Sequence, residues 1–152
     1  MLPQIVVYFS PHSETAAAIV AAITAARSSC FLLMYCFTNY SIAAALIAAV
    51  HRGVKVACIL DRSNLTDVGG ELPILCRSKV PVYTDAQHHI MHDKTLIIDD
   101  HLVITGSYNF TLSAQSTNAE TCLFIDDIDI AAQFNADWQL HASHSTPPPL
   151  AL

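Results

Sequence analysis

The chain is short of positive charge. Its 152 residues include 7 Lys and Arg against 13 Asp and Glu, and the formal net charge is −6 at pH 7. Proteins that coat a polyanion do so mainly through clustered Lys and Arg, so this balance excludes a broad basic binding surface. Any contact with nucleic acid or anionic lipid must use a local positive focus, and we expect such binding to be weak and sensitive to salt.

The sequence also lacks a long apolar run. A membrane-spanning helix needs about 20 consecutive apolar residues, and the alanine-rich segment at 15–26 falls short of that length. This segment has no basic flank of the kind that begins a secretory signal. We therefore expect no transmembrane segment. Cysteine usage favours a cytoplasmic location, with a periplasmic or secreted location as the alternative if a signal peptide has been removed.

No two of the five cysteines have the short spacing of a zinc knuckle. Most of them lie in apolar runs, which predicts buried free thiols and mildly favours a reducing compartment. His88, His89 and His92 could suggest a metal site, but adjacent side chains of an extended segment point apart and no thiolate or carboxylate lies at a zinc-like spacing. The sequence therefore predicts neither a metal site nor a cofactor.

What the sequence has in quantity is apolar residues, at 53% of the total, whereas only 13% are charged. A chain of this length can bury the core of one domain without disulfide or metal support. Because so few charged residues remain to cover the surface, part of the apolar area could be hidden at a subunit contact. Oligomerisation is therefore plausible from composition alone.

Strand and helix patterns alternate along the chain. In order, the predicted elements are strands at 5–9, 30–37, 54–60, 80–83, 94–98, 102–105 and 120–125, and helices at 16–27, 41–51 and 128–141. Alternation of this kind is typical of crossover units. We expect an α/β fold with a mixed, largely parallel sheet and helices on both faces, in one domain at 1–145 followed by a proline-rich tail at 146–152. Phe134 and Trp138 of the last helix are expected to pack in the core.

The most specific pattern is His92-x-Lys94, followed downstream by Gly106-Ser107-x-Asn109. Residues two apart in a strand share a face. A histidine is a usable nucleophile towards a phosphodiester, because its ordinary pKa of about 6.5 leaves a free nitrogen at neutral pH. Lys94 offers a fixed positive charge and Ser107 and Asn109 offer neutral donors to the phosphoryl oxygens. This chemistry needs no metal ion.

The leaving oxygen needs a proton that a phosphorylated histidine cannot supply, so a second acid is required. The chain contains no second His-x-Lys pair, since none of its seven other histidines has a lysine two positions later: His12, His51, His88, His89, His101, His141 and His144. The second motif must then come from a second chain.

These motifs resemble those of the phospholipase D superfamily, and within it those of the small, single-motif bacterial endonucleases. Further likenesses are Val7-Tyr-Phe-Ser-Pro11, Ala26-Arg27-Ser-Ser29, Arg52-Gly-Val54 and Asn118-Ala-Glu120. The resemblance implies a phospholipase D-like fold and an active site at a homodimer interface. In this site His92 of one subunit attacks phosphorus and the partner subunit's His92 protonates the leaving oxygen.

The same resemblance identifies Glu120 as the carboxylate that orients the imidazole, a role known from other catalytic histidines. Asp99 lies seven residues after His92, so strand alternation puts it on the opposite face. We interpret Asp99 as a structural charge or turn partner rather than a catalytic group, and Gly106 as part of the structural motif.

The predicted function is metal-independent hydrolysis of phosphodiesters through a phosphohistidine. A non-specific endonuclease acting on DNA, RNA or both is favoured, because the small relatives that the chain resembles cleave nucleic acids. The alternative is a phospholipase D or cardiolipin hydrolase acting on phospholipid headgroups, against which stand the missing membrane anchor and the lack of a basic amphipathic helix. An inactive binding module is disfavoured, since every residue that the reaction needs is present.

Overall fold

A computed structural model describes residues 3–149 of the chain. Its strands are β1 (Gln4–Ser10), β2 (Ser29–Met34), β3 (Lys55–Asp61), β4 (Val82–Asp85), β5 (Lys94–Ile98), β6 (Leu102–Gly106) and β7 (Glu120–Asp126). Its α-helices are α1 (Thr15–Ala25), α2 (Tyr40–His51), α3 (Leu72–Arg77), α4 (Leu112–Ser116) and α5 (Ile128–His144), and a short 3-10 helix spans Arg62–Leu65. All seven strands belong to one sheet, which confirms the predicted single-domain α/β fold.

The sheet has the order β1-β7-β6-β5-β2-β3-β4. Strands β1, β2, β3, β4 and β6 run in one direction, and β5 and β7 run in the other. The prediction of a largely parallel sheet is therefore right for strand direction but wrong for strand pairing, since only β2–β3 and β3–β4 are parallel neighbours in the described chain. The reason is that β5 inserts between β2 and β6, and β7 between β1 and β6, so that each is flanked by strands of the opposite sense.

Helices cover both faces of the sheet, as the sequence predicts. Alternate residues of β2 point to opposite faces, so Leu32 joins the cluster under α1 and α2, while Phe31 joins the smaller cluster under α5. Trp138 of α5 stacks on Phe31 with ring centroids 4.8 Å apart, and its indole nitrogen donates a hydrogen bond to the Leu32 carbonyl at 3.1 Å. Phe134 packs against the same cluster, which confirms the core assignment of both aromatic residues.

The second predicted strand is shorter than expected. The prediction extends it to residue 37, but β2 ends at Met34. The reason is that the buried side chain of Asn64 forms hydrogen bonds with the backbone that follows Met34. The amide nitrogen of Asn64 donates to the Tyr35 carbonyl at 2.6 Å, and its oxygen accepts from the Phe37 amide at 3.3 Å. The apolar run thus continues past the strand into a bend that is anchored from elsewhere in the chain.

The carboxyl-terminal part of the described chain is tied to the sheet. Thr146 makes an antiparallel bridge with Thr84 of β4, with the Thr84 amide 2.7 Å from the Thr146 carbonyl oxygen. The predicted tail at 146–152 therefore begins with a paired residue, and its last three positions lie outside the described residues. Within residues 3–149, all five cysteines are free thiols and no helix has the length and apolar character needed to cross a bilayer.

Candidate active site

The cleft of interest lies at one edge of the sheet. Strands β2 and β6 end at this edge, and the oppositely directed β5 and β7 begin there. The topology therefore brings together residues that are far apart in sequence. Six of these residues line a cleft of about 530 Å³: His92, Lys94, Gly106, Ser107, Asn109 and Glu120. Of the predicted site residues, Asp99 alone does not line it.

His92 and Lys94 lie at the start of β5. Lys94 is the first residue of the strand and pairs with Met34 of β2, whereas exposed His92 lies just before the strand. The Lys94 ammonium donates a hydrogen bond to the His92 backbone carbonyl. The side chain of Lys94 therefore braces the segment that carries the imidazole.

Tyr35 completes the floor on which these two residues rest. Its ring centroid lies 4.7 Å from that of His92, and the Lys94 ammonium lies over the same ring at 4.9 Å. A cation over an aromatic face is attracted by the ring quadrupole. Sequence reasoning placed Tyr35 inside a buried strand and missed this role; its position at the carboxyl end of a parallel-paired strand is the signal that could have found it.

A hydrogen-bond network joins the end of β6 to the start of β7. The Ser107 hydroxyl donates to one carboxylate oxygen of Glu120 at 2.5 Å and accepts from the Thr121 amide at 3.1 Å. The other carboxylate oxygen accepts from the Asn118 side chain at 3.1 Å. The hydrogen bonds of Glu120 thus go to Ser107 and Asn118 within the chain, and not to the imidazole of His92 as the sequence-based interpretation expects.

Gly106 is required where β6 approaches β7. Its φ of +147° is one that residues with a Cβ rarely adopt, and a Cβ built there would lie 2.1 Å from the Thr121 carbonyl oxygen. The absence of a side chain lets the Ser107 amide reach that same carbonyl at 3.0 Å. Gly106 therefore allows β6 and β7 to approach closely enough to hold Ser107 in its position at the cleft.

Asn109 is oriented from the opposite side of the cleft. Its side-chain oxygen accepts a hydrogen bond from the Cys36 amide at 3.3 Å. Because the oxygen is engaged, the amide nitrogen is the atom that remains to donate to a molecule in the cleft.

Lys94 supplies the positive charge that the cleft needs, although acidic groups surround it. The side chain is 8% exposed, and burial lowers the pKa of its ammonium, while the thiol of Cys36 and the carboxylates of Asp93, Glu120 and Asp61 oppose that shift. A charge held in a poorly solvated position acts more strongly on a nearby anion than one at the surface. Within this cleft, the buried ammonium of Lys94 fits the local positive focus expected from the sequence.

Asp99 lies at the hairpin turn between β5 and β6, away from the cleft. Its carboxylate accepts hydrogen bonds from the backbone amides of Arg27, Ser28 and Ser29 at 2.7 to 2.9 Å and from the Ser28 hydroxyl at 2.8 Å. Burial alone would raise the pKa of Asp99, but these hydrogen bonds outweigh it and lower the pKa to about 2. The carboxylate thus ties the hairpin to the start of β2.

Within the described residues, the side chains with metal-ligand geometry lie outside the cleft, around Asp85 and His141. The cleft itself offers one imidazole, one ammonium, one carboxylate, one hydroxyl and one amide. That set can provide a nucleophile and several donors for an anionic group.

Comparison with known proteins agrees with this arrangement. The family model "Cardiolipin synthase, PLD-like domain" matches residues 19–140. Phospholipase D of Rickettsia bellii is 41% identical over 130 residues, which are 86% of this chain and 65% of that protein. The mitochondrial cardiolipin hydrolase of Mus musculus is 31% identical over 130 residues, or 85% of this chain and 59% of the relative. The chain thus spans about three fifths to two thirds of the length of these relatives.

Two solved structures match over almost their whole length. Nuc from Salmonella typhimurium, a phospholipase D family member, has a TM-score of 0.90 and 32% identity and covers 95% of this chain and 97% of its own. NucT from Helicobacter pylori has a TM-score of 0.84 and 26% identity, with 95% and 99% covered. With the family model matching most of the chain, these likenesses show that the protein belongs to the phospholipase D superfamily, whose members are phosphodiesterases.

Proposed function

We propose that this chain is a metal-independent phosphodiesterase, a non-specific endonuclease that works through a phosphohistidine at a homodimer interface. The observation that carries the proposal is the convergence of His92, Lys94, Ser107 and Asn109 on one cleft. The chain has a single His-x-Lys pair, so the reaction requires two copies of the cleft.

In the proposed first step a ring nitrogen of His92 attacks phosphorus and the bond to the leaving oxygen breaks. Exposure of His92 at the cleft leaves its imidazole accessible to substrate, and contact with the tilted ring of Tyr35 restricts the orientation of the imidazole. In the second step water attacks phosphorus and gives its proton to the partner subunit's His92, and the phosphorus–nitrogen bond breaks, which releases the phosphate product and restores the imidazole. A positioned nucleophile of this kind divides one difficult displacement into two easier ones.

Negative charge on the phosphoryl oxygens is met by three donors. Lys94 provides a partly desolvated ammonium, Asn109 an amide nitrogen, and Ser107 a hydroxyl held by Glu120 and Thr121. Donors that are fixed before the reaction stabilise the transition state without reorganisation. Lys94, Ser107 and Asn109 are accordingly the proposed phosphate-binding groups.

The proton for the leaving oxygen comes from the partner subunit's His92 in this proposal, since two facing clefts place two imidazoles on one phosphodiester. Exposed apolar side chains near the cleft support a subunit contact there. Tyr40 at the start of α2 is 63% exposed and Leu112 at the start of α4 is 64% exposed. The Asn39 and Thr38 amides before α2 both donate to the carbonyl of Phe110, the neighbour of Asn109.

The proposed role of Glu120 follows from its contacts. Within one chain the carboxylate positions the Ser107 hydroxyl, with Asn118 holding its other oxygen. Contact with an imidazole, the role implied by the family resemblance, then requires a His92 ring to turn towards the carboxylate when substrate binds.

Nucleic acid is the favoured substrate because the length match is with the small single-motif proteins. Nuc and NucT are covered at 97% and 99%, whereas the Rickettsia bellii phospholipase D is covered at 65%. Phospholipid is the second candidate, and the names phospholipase D and cardiolipin hydrolase among the more identical relatives favour it. Both substrates present the same phosphodiester to the cleft.

A substrate panel tests the proposal. The protein is incubated with single-stranded DNA, duplex DNA, RNA and cardiolipin vesicles, each with and without a chelator, and the His92→Ala variant serves as the control for contaminating activity. Cleavage of nucleic acid by the wild type alone, unchanged by the chelator at 25 °C, supports the endonuclease. Cleavage of cardiolipin alone replaces it with the lipase, and the absence of cleavage in all arms overturns the proposed chemistry.

A further inference from the structure

A cluster of three histidines and one aspartate lies outside the catalytic cleft, where α5 meets the end of β4. We propose that this cluster, Asp85, His88, His141 and His144, is a zinc site that clamps the carboxyl end of α5 to the loop that leads into the His92 motif. One donor atom from each of the four side chains lies within 4.8 Å of the others.

The four side chains come from two short segments. Asp85 ends β4 and His88 follows it by three residues, while His141 and His144 are three residues apart in the last turn of α5. Helical residues at this spacing share one face. The bridge between Thr84 and Thr146 holds the two segments together, so the cluster is built on paired backbone on both sides.

The distances suit a tetrahedral ion. One oxygen of Asp85 lies 2.9 Å from the Nδ1 atom of His88, 3.0 Å from Nδ1 of His141 and 3.1 Å from Nε2 of His144. Zinc bonds to nitrogen and oxygen are about 2.0 to 2.1 Å long, which puts neighbouring tetrahedral ligands about 3.3 Å apart. Small side-chain shifts would therefore open the cluster around an ion.

Burial and ligand chemistry point to the same class of metal. The Asp85 side chain is fully buried, and those of His141 and His144 are only 11% and 14% exposed, while His88 at 45% leaves a route in from solvent. Imidazole is a preferred ligand of zinc and of its transition-metal neighbours, whereas magnesium and calcium prefer oxygen. Three imidazoles and one carboxylate fill a four-coordinate structural site.

The surroundings of the cluster also fit. When zinc takes the lone pair of the inner nitrogen of His141, the proton of that ring resides on Nε2. This atom faces the carboxylates of Asp93 and Asp137 at 3.8 Å each, and ligating histidines in proteins commonly direct their second N–H to such a carboxylate. The other Asp85 oxygen accepts from the Gln87 amide at 2.8 Å, which orients the carboxylate.

The site would act on the catalytic segment through Asp93, which separates His92 from Lys94. The Asp93 carbonyl accepts a hydrogen bond from the Tyr35 amide at 3.0 Å, and its side chain faces His141. The loop at 86–93 is therefore restrained at both ends. The cluster holds its start through Asp85 and His88, and His141 faces Asp93 at its end. The proposed zinc is structural and takes no part in the displacement at phosphorus.

Zinc content and thermal unfolding test the site. Protein that has been stripped with a chelator and dialysed is titrated with ZnCl₂, and bound zinc is measured by elemental analysis and calorimetry. We expect one zinc per chain and a rise in Tm on loading, because an ion that binds only the folded state stabilises it. Substitution with cobalt(II) should give the intense visible bands of tetrahedral coordination, and magnesium should leave Tm unchanged.

Matched variants locate the ion. His144→Gln, or His88→Gln if the first variant does not fold, should weaken zinc binding by about tenfold or more. His101 lies outside the cluster and pairs with Asp126 at 2.8 Å. The control variant His101→Gln should therefore bind zinc as the wild type does. Failure to bind one zinc per chain, or zinc binding by the His144 variant (or by the His88 variant in its place) that equals that of the His101 variant, overturns the site. The His92→Ala variant should still bind zinc, so this result is independent of the proposed catalysis.

Discussion

The side-chain ammonium of Lys94 donates a hydrogen bond to the backbone carbonyl of His92, two residues earlier in the chain. Lysine in this position has two roles in the proposed mechanism: it braces the segment that carries the imidazole, and it provides the positive charge of the cleft. The variant Lys94→Met keeps the length of the side chain and removes the charge. We expect kcat to fall by about 10²–10³, the usual effect of removing one preorganised donor.

Folding should survive this change, because burial of the ammonium is itself unfavourable and lowers its pKa. Tm should therefore equal or exceed that of the wild type. Lys55→Met is the control, since Lys55 is exposed at the start of β3 and lies outside the cleft. A Lys94→Met protein that cleaves substrate at the wild-type rate would contradict the role given to the ammonium.

Sharing of the active site between subunits can be tested with mixed dimers. Wild type and His92→Ala are mixed in equal amounts under conditions that exchange subunits, and activity is compared with that of the unmixed pools. Random pairing leaves about a quarter of the dimers fully wild type, whereas about half were so before exchange. If both imidazoles are needed at one phosphodiester, activity falls to about half.

Two independent sites predict a different result, because each mixed dimer would then keep one working site and total activity would not change. Differently tagged subunits allow the mixed dimer to be purified and assayed by itself. Near-normal turnover by that species, or a wild-type monomer in solution that is fully active, would refute the shared site.

Asp99 should make stability depend on pH. Its pKa is lowered to about 2 in the folded chain from an ordinary value of 3.8. A depressed carboxyl pKa contributes stability that is present above pH 4 and is lost as pH falls from about 4 to about 2. Asp99→Asn should therefore reduce the free energy of unfolding at pH 7 by on the order of 1 to 2 kcal/mol, after allowance for partial exposure.

Asparagine tolerates the positive φ of +53° at this turn, so the variant tests the charge and its hydrogen bonds rather than the backbone. Urea unfolding at pH 7 and at pH 3 measures the difference. The gap between wild type and variant should narrow at the lower pH, and a gap that is the same at both values would argue against the ionised carboxylate as its source.

Substitution of Gly106 should damage the fold as well as the site. A Cβ at this position meets the Thr121 carbonyl oxygen at 2.1 Å, so β6 and β7 must move apart. We expect Gly106→Ala to reduce the free energy of unfolding by about 3 kcal/mol or more. Gly53→Ala is the control, because Gly53 also has a positive φ, of +88°, but a Cβ there meets nothing within 4 Å.

Strain at Gly53 alone should lower the free energy of unfolding by about 1 kcal/mol. Denaturant unfolding of the two variants separates the close strand approach from backbone preference. Similar losses for both substitutions would show that the contact with Thr121 is relieved at little cost.

Most elements of this fold could be predicted from local pattern, because periodicity and helix-end signals are local properties. Strand β5 and helix α5 illustrate this: β5 has the predicted bounds and α5 begins at Ile128 as predicted, where the Asp127 side chain accepts from the Asp129 and Ile130 amides at 2.9 Å. Pairing of strands is not local, and the insertion of β5 and β7 between strands of opposite direction could not be read from any one segment. Helix α4 was missed because its five residues carry no apolar period.

The cleft was predictable as a set of residues because a spacing of two in an extended segment already places His92 and Lys94 on one side. The contacts that support these residues in the cleft could not be predicted from the sequence. The partners of Glu120 depend on the register of β6 and β7, and the meeting of Tyr35 with His92 depends on the bend that Asn64 imposes after β2. The His141 and His144 pair went unnoticed for the same reason, since its counterpart, Asp85 and His88, lies more than 50 residues away in sequence.

The pairing of β1 with β7 has a consequence for how the polypeptide acquires its structure. Gln4 is opposite Asp126 in this ladder, so β1, the first of the described strands in sequence, cannot pair until β7, the last of them, has been synthesised. Until then a segment rich in valine, isoleucine and aromatic residues has no neighbour, which is the situation that invites aggregation and chaperone capture. Contacts between such distant residues also slow folding. Release of β7 from the ribosome is therefore the event that allows β1 to join the nascent sheet.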